Sequence, residues 1–314
     1  MPDRNKAELG ALVALFSGAV SIGGASILVR LSETGPTATA FWRGCLALPL
    51  LGLWALLEPA SNRGPDPKPG RIAGLRWVAA GLFFAADLAL WNWSLLLTSV
   101  AASTLEANLA PLFVTFFLWL FYHERPTARF MTATAFALCG MLLMVSPKFG
   151  HGGSAFVGDA LGLGAAVFFA AYILAVSSLR AQYGTGIVMF NSTLVFALAL
   201  LPLALTQKFV PDTRSGWAAV AGCAFAAQVF GQGLVAYALA HLRPTFGSLG
   251  LLVQALGAAT AAWLVLGERL SPIQMIGALV IVGALALARS ASQSVKPAQA
   301  AAPVAAESLG VLRD

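Results

Sequence analysis

The chain has 314 residues, 59% of them hydrophobic and only 10% charged, with a mean hydropathy of +0.81; soluble domains carry roughly 25% charged residues, so a water-soluble core is excluded. The net charge is +6, but Lys and Arg are scattered singly between apolar blocks and form no basic stripe, which excludes nucleic acid as the partner. At about 20 apolar residues per crossing of a bilayer core about 30 Å thick, there is room for about ten crossings and little else.

In chain order, MPDRNKAELG leads into an apolar stretch of about 22 residues, longer than the roughly 7 to 15 of a signal-peptide core. It reads as a retained first helix over 9–31. The second, over 37–57, carries Trp42, Arg43 and Cys45. The segment from Glu58 to Arg71 holds four prolines and mixed charge, and reads as a solvent-exposed loop. Helix three over 72–97 contains Asp87, Trp91 and Trp93; helix four over 101–122 contains Glu106, Asn108 and Pro111; helix five covers 128–146. A glycine-rich stretch over 149–158 separates two halves. Helices six to ten follow over 158–180 with Tyr172, 186–206 with Asn191, 217–240 with Gln228, Gln232 and Tyr237, 244–266 with Gln254 and Trp263, and 272–290. Beyond Ala291 the chain is rich in Ala, Ser and Gln and reads as a disordered tail. The expected organisation is a first five-helix repeat over 1–148, a second over 149–290 and a tail over 291–314.

Cys45, Cys139 and Cys223 lie in apolar segments without CxxC spacing, so neither a disulfide framework nor a zinc site is expected, and no metal or cofactor. HExxH, GxSxG and P-loop motifs are absent. GQGLVA from Gly231 fits a dinucleotide fingerprint in letters only, since it lies in an apolar helix and follows no strand. Counting Lys and Arg by side gives thirteen on the face of both termini against six on the other, which places both termini in the cytoplasm.

A shift of 144 residues lays the segment from Trp93 over that from Tyr237, matching Trp119 with Trp263, Leu120 with Leu264, Glu124 with Glu268 and Arg125 with Arg269. Five helices per half is an odd number, so the second half enters the membrane inverted, as in transporters whose solute sits between two inverted repeats. The HERPT ending from His123, the GERLSP ending from Gly267, the NLAP of Asn108 to Pro111 and the five-plus-five plan together resemble the drug/metabolite transporter superfamily, EamA type, over nearly the whole chain. In length and plan the resemblance is greatest to bacterial inner-membrane exporters of amino acids, aromatic ones included. The second half departs from NLxP, with Leu252 and Ala255 at the aligned positions.

The sequence reading is therefore an all-α membrane protein, ten transmembrane helices as two inverted five-helix repeats, exporting a small-molecule substrate by alternating access. The bilayer is its surroundings, and helices five and ten stand apart as a scaffold or homodimer face. An importer or facilitator of another metabolite or a cationic drug fits the same residues, and a membrane-embedded enzyme is the alternative of a different class. Polar side chains at depth are costly and mark a pathway: Arg43, Asp87, Trp91, Glu106, Asn108, Tyr172, Gln228, Gln232, Tyr237 and Gln254 are the candidate substrate-binding set. Arg43 suits a substrate carboxylate or an internal ion pair. Asp87 and Glu106 suit proton exchange or an amine, or that same pair. Asn108 with Pro111 marks a helix break, and Gln228 with Gln232 offers amides on one face. Trp91, Tyr172 and Tyr237 supply aromatic walls, with packing as the ordinary alternative. Gln254 adds a further amide.

Overall fold

The computed structural model describes residues 2–59, 71–98, 103, 106–145, 155–267 and 271–294. Among the described residues every regular element is a helix, and eight helices are long and apolar enough to cross a membrane. An apolar stretch with no water around it can satisfy its backbone only internally, which a helix does within one segment.

α1 runs Pro2–Gly24 and, after a turn at Ala25, continues Ser26–Leu31; α2 is Pro36–Leu57 and α3 Arg71–Leu97. α4 (Ala110–Tyr122) and α5 (Ala128–Val145) are shorter, and α6 (Ala155–Arg180) and α7 (Thr185–Ala204) are full-length. α8 comprises Arg214–Cys223, a π-helical segment Ala224–Gln232 and Gly233–Leu239. α9 comprises Pro244–Gly250, a 3-10 turn Leu251–Val253 and Gln254–Leu266, and α10 is Pro272–Ser294.

Four expected helices are thus interrupted; the fourth, expected over 101–122, turns at Asn108 and Leu109 before Ala110, beside the break expected at Asn108 with Pro111. α1 breaks just after Gly23 and Gly24, the poorest helix formers after proline. The π segment of α8 leaves a carbonyl outside the regular ladder, and the Ser21 hydroxyl of α1 donates to Ala226 O at 2.7 Å. α10 continues through Ser294, so the tail expected from Ala291 begins helical; residues 295–314 lie outside the described residues, as do 60–70 of the proline-rich loop and 146–154 of the glycine-rich one.

Packed helix pairs build the bundle, antiparallel for α2 with α7 and α3 with α6 and parallel for α1 with α9. α3 lies along α6, with Thr98 donating to Asp159 Oδ1 at 2.8 Å, Phe84 stacked on Tyr172 and Trp77 edge-on to Tyr183. α2 lies along α7, where Gly44 meets the Phe196 ring, Gly52 meets Phe190 and Gly186 meets Ala55. α1 packs on α8 and α9, and α5 packs on α10.

Both ends of the α2–α7 pair are closed by the partner helix's C-terminal side chain. Gln207, after α7, accepts from Thr37 N–H at 3.0 Å in the first turn of α2. Glu58, after α2, accepts from Thr185 N–H at 2.8 Å and Gly186 N–H at 3.0 Å in the first turn of α7. Each satisfies a backbone donor that its own helix cannot. Gly35 and Gly184 precede these helices because space is missing: a Cβ would stand 2.6 Å from Gln207 Cβ in one case and 2.8 Å from Glu58 Cδ in the other. The solvent-exposed loop expected from Glu58 onward is corrected at its first residue, since Glu58 is buried by this capping. The Glu58 end also holds Arg180, the last residue of α6; it is buried and donates through Nε to Ala236 O at 3.2 Å and through Nη1 to Tyr183 O.

At the opposite end Glu33, with φ of 61°, accepts from the Thr213 hydroxyl at 2.6 Å and from the N–H groups of Asp212 and Thr213, each at 3.1 Å. The Thr213 hydroxyl above all, then the two N–H groups and the Lys208 charge, hold this carboxyl below its ordinary range. A carboxyl depressed on folding stabilises above its unfolded value of 4.5 and loses that contribution as pH falls through its folded value. The protection of the Asp212 and Thr213 amides, relative to their intrinsic exchange rates, should therefore fall on acidification below 4.5, and Glu33→Gln should show less protection at neutral pH with a flattened acid response.

The segments matched by the 144-residue shift also share local geometry. Ala110–Tyr122 and Gln254–Leu266 are both 13 residues long. Each ends on a left-handed residue, His123 with φ of 53° and Gly267 with φ of 69°. Glu268 and Arg269 lie outside the described residues.

Candidate functional site

Arg43 lies on α2, one residue before the Gly44 that meets the Phe196 ring of α7. Its guanidinium carbon stands 5.5 Å from the centre of the Phe84 ring, and its buried Nε has no hydrogen-bond partner. Phe84 stacks on Tyr172 at 4.5 Å and meets the edge of Phe196 at 5.2 Å. Asp87, one turn beyond Phe84 on α3, is buried and lies within electrostatic reach of Arg43 and Tyr172. Among the described residues no ion pair within 4.0 Å joins Arg43 to Asp87. The internal ion pair weighed from the sequence is therefore not formed, although the two charges share one neighbourhood. Trp91 follows Asp87 by four residues, hence on the same face of α3, and is half-buried.

Gln228 in the π segment of α8 is buried and donates through Nε2 to Thr193 Oγ1 of α7 at 2.9 Å. Its Oε1 is buried without a partner. Thr193 lies one turn before Phe196, so Gln228 is tied to the same aromatic wall as Arg43. Gln232 is buried in the same π segment.

The remaining candidates separate from this centre. Glu106 stands against Asp159 and Gly162 of α6; Asp159 is held by Thr98 just beyond α3. Thr98 is eleven residues from Asp87, about 16 Å along a helix, so Glu106 belongs to the Glu33 end and not to the Arg43 neighbourhood. Asn108 and Leu109 form a turn before α4, where Pro111 lies in the first helical turn, and Asn108 Oδ1 accepts from Gln254 Nε2 at 3.0 Å. That bond ties α4 to α9. Tyr237 packs on His241 at 4.8 Å, near Arg180 at the Glu58 end. Among the other tryptophans, Trp93 and Trp263 are about half exposed, facing outward. Trp42 donates to Phe209 O at 2.7 Å and packs on Trp217.

Sequence reasoning missed Phe84, Phe196 and Thr193, which carry no charge and look like any core residue in an apolar block. It also missed Asp159, whose signal was available: it is the one acidic residue in the block over 155–180. Asn92, buried and donating to Thr37 Oγ1 at 3.4 Å, was likewise unread.

Apolar helices thus surround a buried Asp87 and an Arg43 whose Nε has no hydrogen-bond partner. The chain belongs to the EamA-like transporter family, which matches residues 6–146 and again residues 156–290. It is similar to the pseudopaline exporter CntI of Pseudomonas aeruginosa, strains UCBPP-PA14 and PAO1, each 26% identical over 211 residues, covering 67% of this chain and 73% of theirs. Its fold is similar to that of a solved crystal structure, with a TM-score of 0.72 and 18% identity over 90% of this chain and 97% of that one.

Proposed function

We propose that this membrane transporter is a secondary carrier exporting small metabolites, foremost amino acids including aromatic ones, across the bacterial inner membrane by alternating access. The observation that carries the reading is the Arg43 guanidinium, whose buried Nε has no partner, beside a buried Asp87 with which it makes no ion pair. One donor edge and one carboxylate within one neighbourhood suit the carboxylate and ammonium of a zwitterion. Trp91, Tyr172, Gln228 and Gln232 would line the same path. Glu106, Asn108, Tyr237 and Gln254 would act along its length, as coupling, hinge or gate residues.

Ten crossings in two inverted repeats, over 1–148 and 149–290, belong to this reading, with cytoplasmic termini and a tail over 291–314. It is supported by the equal lengths and caps of Ala110–Tyr122 and Gln254–Leu266, by the double family match and by the reciprocal capping of α2 and α7. The α5–α10 pair, packed on itself with apolar side chains outward, would be the scaffold or homodimer face.

The test is saturable uptake of radiolabelled amino acids into proteoliposomes, with and without an imposed pH gradient. No uptake across an amino-acid panel would overturn the substrate class. Where uptake responds to the gradient, the facing carboxylates of Glu106 and Asp159 are the proposed coupling pair, since like charges brought together repel unless one is neutralised. Glu106→Gln should then remove the pH dependence while leaving exchange down a solute gradient intact; an unchanged pH response assigns coupling elsewhere.

A further inference from the structure

Resting on the reading of Arg43 as the carboxylate-binding group, we propose that Phe84 is the positioning residue that presents Arg43 to an anionic substrate group. An arginine can be held in a membrane interior by a carboxylate, by backbone carbonyls or by a ring face. The first two consume its in-plane N–H donors, whereas stacking on a ring uses only the face of the guanidinium and leaves the edge free for bidentate recognition. The chain contains both solutions. Arg180 is held by the carbonyls of Ala236 and Tyr183, so its donors are spent on the fold. Arg43 is held over Phe84 at 5.5 Å, with no hydrogen bond or ion pair among the described residues.

A ring that positions a cation must itself be fixed. Phe84 is 3% exposed. Its face lies at 17° to the Tyr172 ring of α6, with centroids 4.5 Å apart, and it meets the Phe196 ring of α7 at 81° and 5.2 Å. Phe196 in turn fills the space that Gly44, the residue after Arg43, leaves open: a Cβ there would be 2.7 Å from Phe196 Cζ. The backbone that carries Arg43 and the ring beneath its head group are thus referenced to the same side chain. Phe84 and Asp87 are three residues apart on α3, so the same face that steadies the cation brings up the carboxylate. The arrangement favours solutes with a carboxylate over their decarboxylated amines.

The experiment compares Phe84→Leu, Phe84→Tyr and wild type, all checked for monodisperse folded protein, for uptake of a radiolabelled amino acid and of its decarboxylated amine. Loss of the cation–ring contact predicts a KM for the amino acid raised by roughly 3- to 30-fold in Phe84→Leu, from a cation–π contribution of this size. The maximal rate and the amine KM should change little, and Phe84→Tyr should restore the amino-acid KM. A fall in maximal rate with KM unchanged, or equal effects on amino acid and amine, overturns the proposal. A second readout needs no transported substrate: phenylglyoxal modification of Arg43, followed by peptide mass spectrometry in the full chain. Phe84→Leu should change the Arg43 labelling rate severalfold and Phe84→Tyr should not; equal rates in all three overturn the positioning role. If labelling depends on Phe84 while wild type takes up no carboxylate-bearing solute, the ring positions Arg43 and the substrate reading is the part that fails.

Discussion

Arg43→Ala should lower uptake of carboxylate-bearing amino acids by roughly a hundredfold, the equivalent of losing charge-assisted hydrogen bonds worth about 3 kcal/mol. Folded yield should stay near that of wild type, because Arg43 makes no internal ion pair whose loss would strand a charge. Arg43→Lys should restore little, since an ammonium cannot present two parallel donors to a carboxylate. Uptake in proteoliposomes beside size-exclusion yield of the same preparations decides the matter. A variant that folds poorly with normal affinity per folded molecule would make Arg43 a structural charge. The contrasting variant is Arg180→Ala, which should lose folded protein first: it removes a buried group bonded to Ala236 and Tyr183.

The largest stability effect is expected at Gly23, where α1 crosses α9. A Cβ there would stand 2.7 Å from Gln254 C and 2.9 Å from Ala258 N, and both neighbours are backbone, with no rotamer to move. Gly23→Ala must therefore separate two helices, at a cost of about 1–3 kcal/mol or more. Gly24→Ala, adjacent in sequence, would find its nearest neighbour, Ala261 Cβ, at 3.8 Å. It should be neutral, or slightly stabilising through the better helix propensity of alanine. Thermal inactivation of detergent-purified variants, followed by size-exclusion recovery, should separate the two neighbours clearly. Equal melting would mean that α1 and α9 do not meet at Gly23. Because Gln254 also donates to Asn108 of α4 at 3.0 Å, Gly23→Ala should disturb the α4–α9 tie as well.

The sequence by itself determined that this is a helical membrane protein and where most of its helices lie. Blocks of some twenty apolar residues admit one satisfied backbone in lipid, and that requirement is local to each block. It also marked the matched pair of segments ending near His123 and Gly267, because Trp-Leu followed by Glu-Arg is repeated in the letters at the same spacing. It marked Arg43 and Asp87 as unusual for the same reason: a charge in an apolar run needs no partner to be noticed.

What those charges do to each other was decided only in three dimensions. Asp87 and Glu106 read alike in the sequence, yet α3 carries one beside Arg43 while α4 and α6 bring the other to Asp159. Glu58 read as a loop residue and is buried where it caps α7. The interruptions in α1, α8 and α9 were hidden too, since π and 3-10 turns depend on what a neighbouring helix offers, as Ser21 offers its hydroxyl to Ala226 O. Phe84 could not be distinguished from nineteen other phenylalanines by its letter. Its role follows from standing under a guanidinium and between two rings, a property of helix packing that local sequence does not encode.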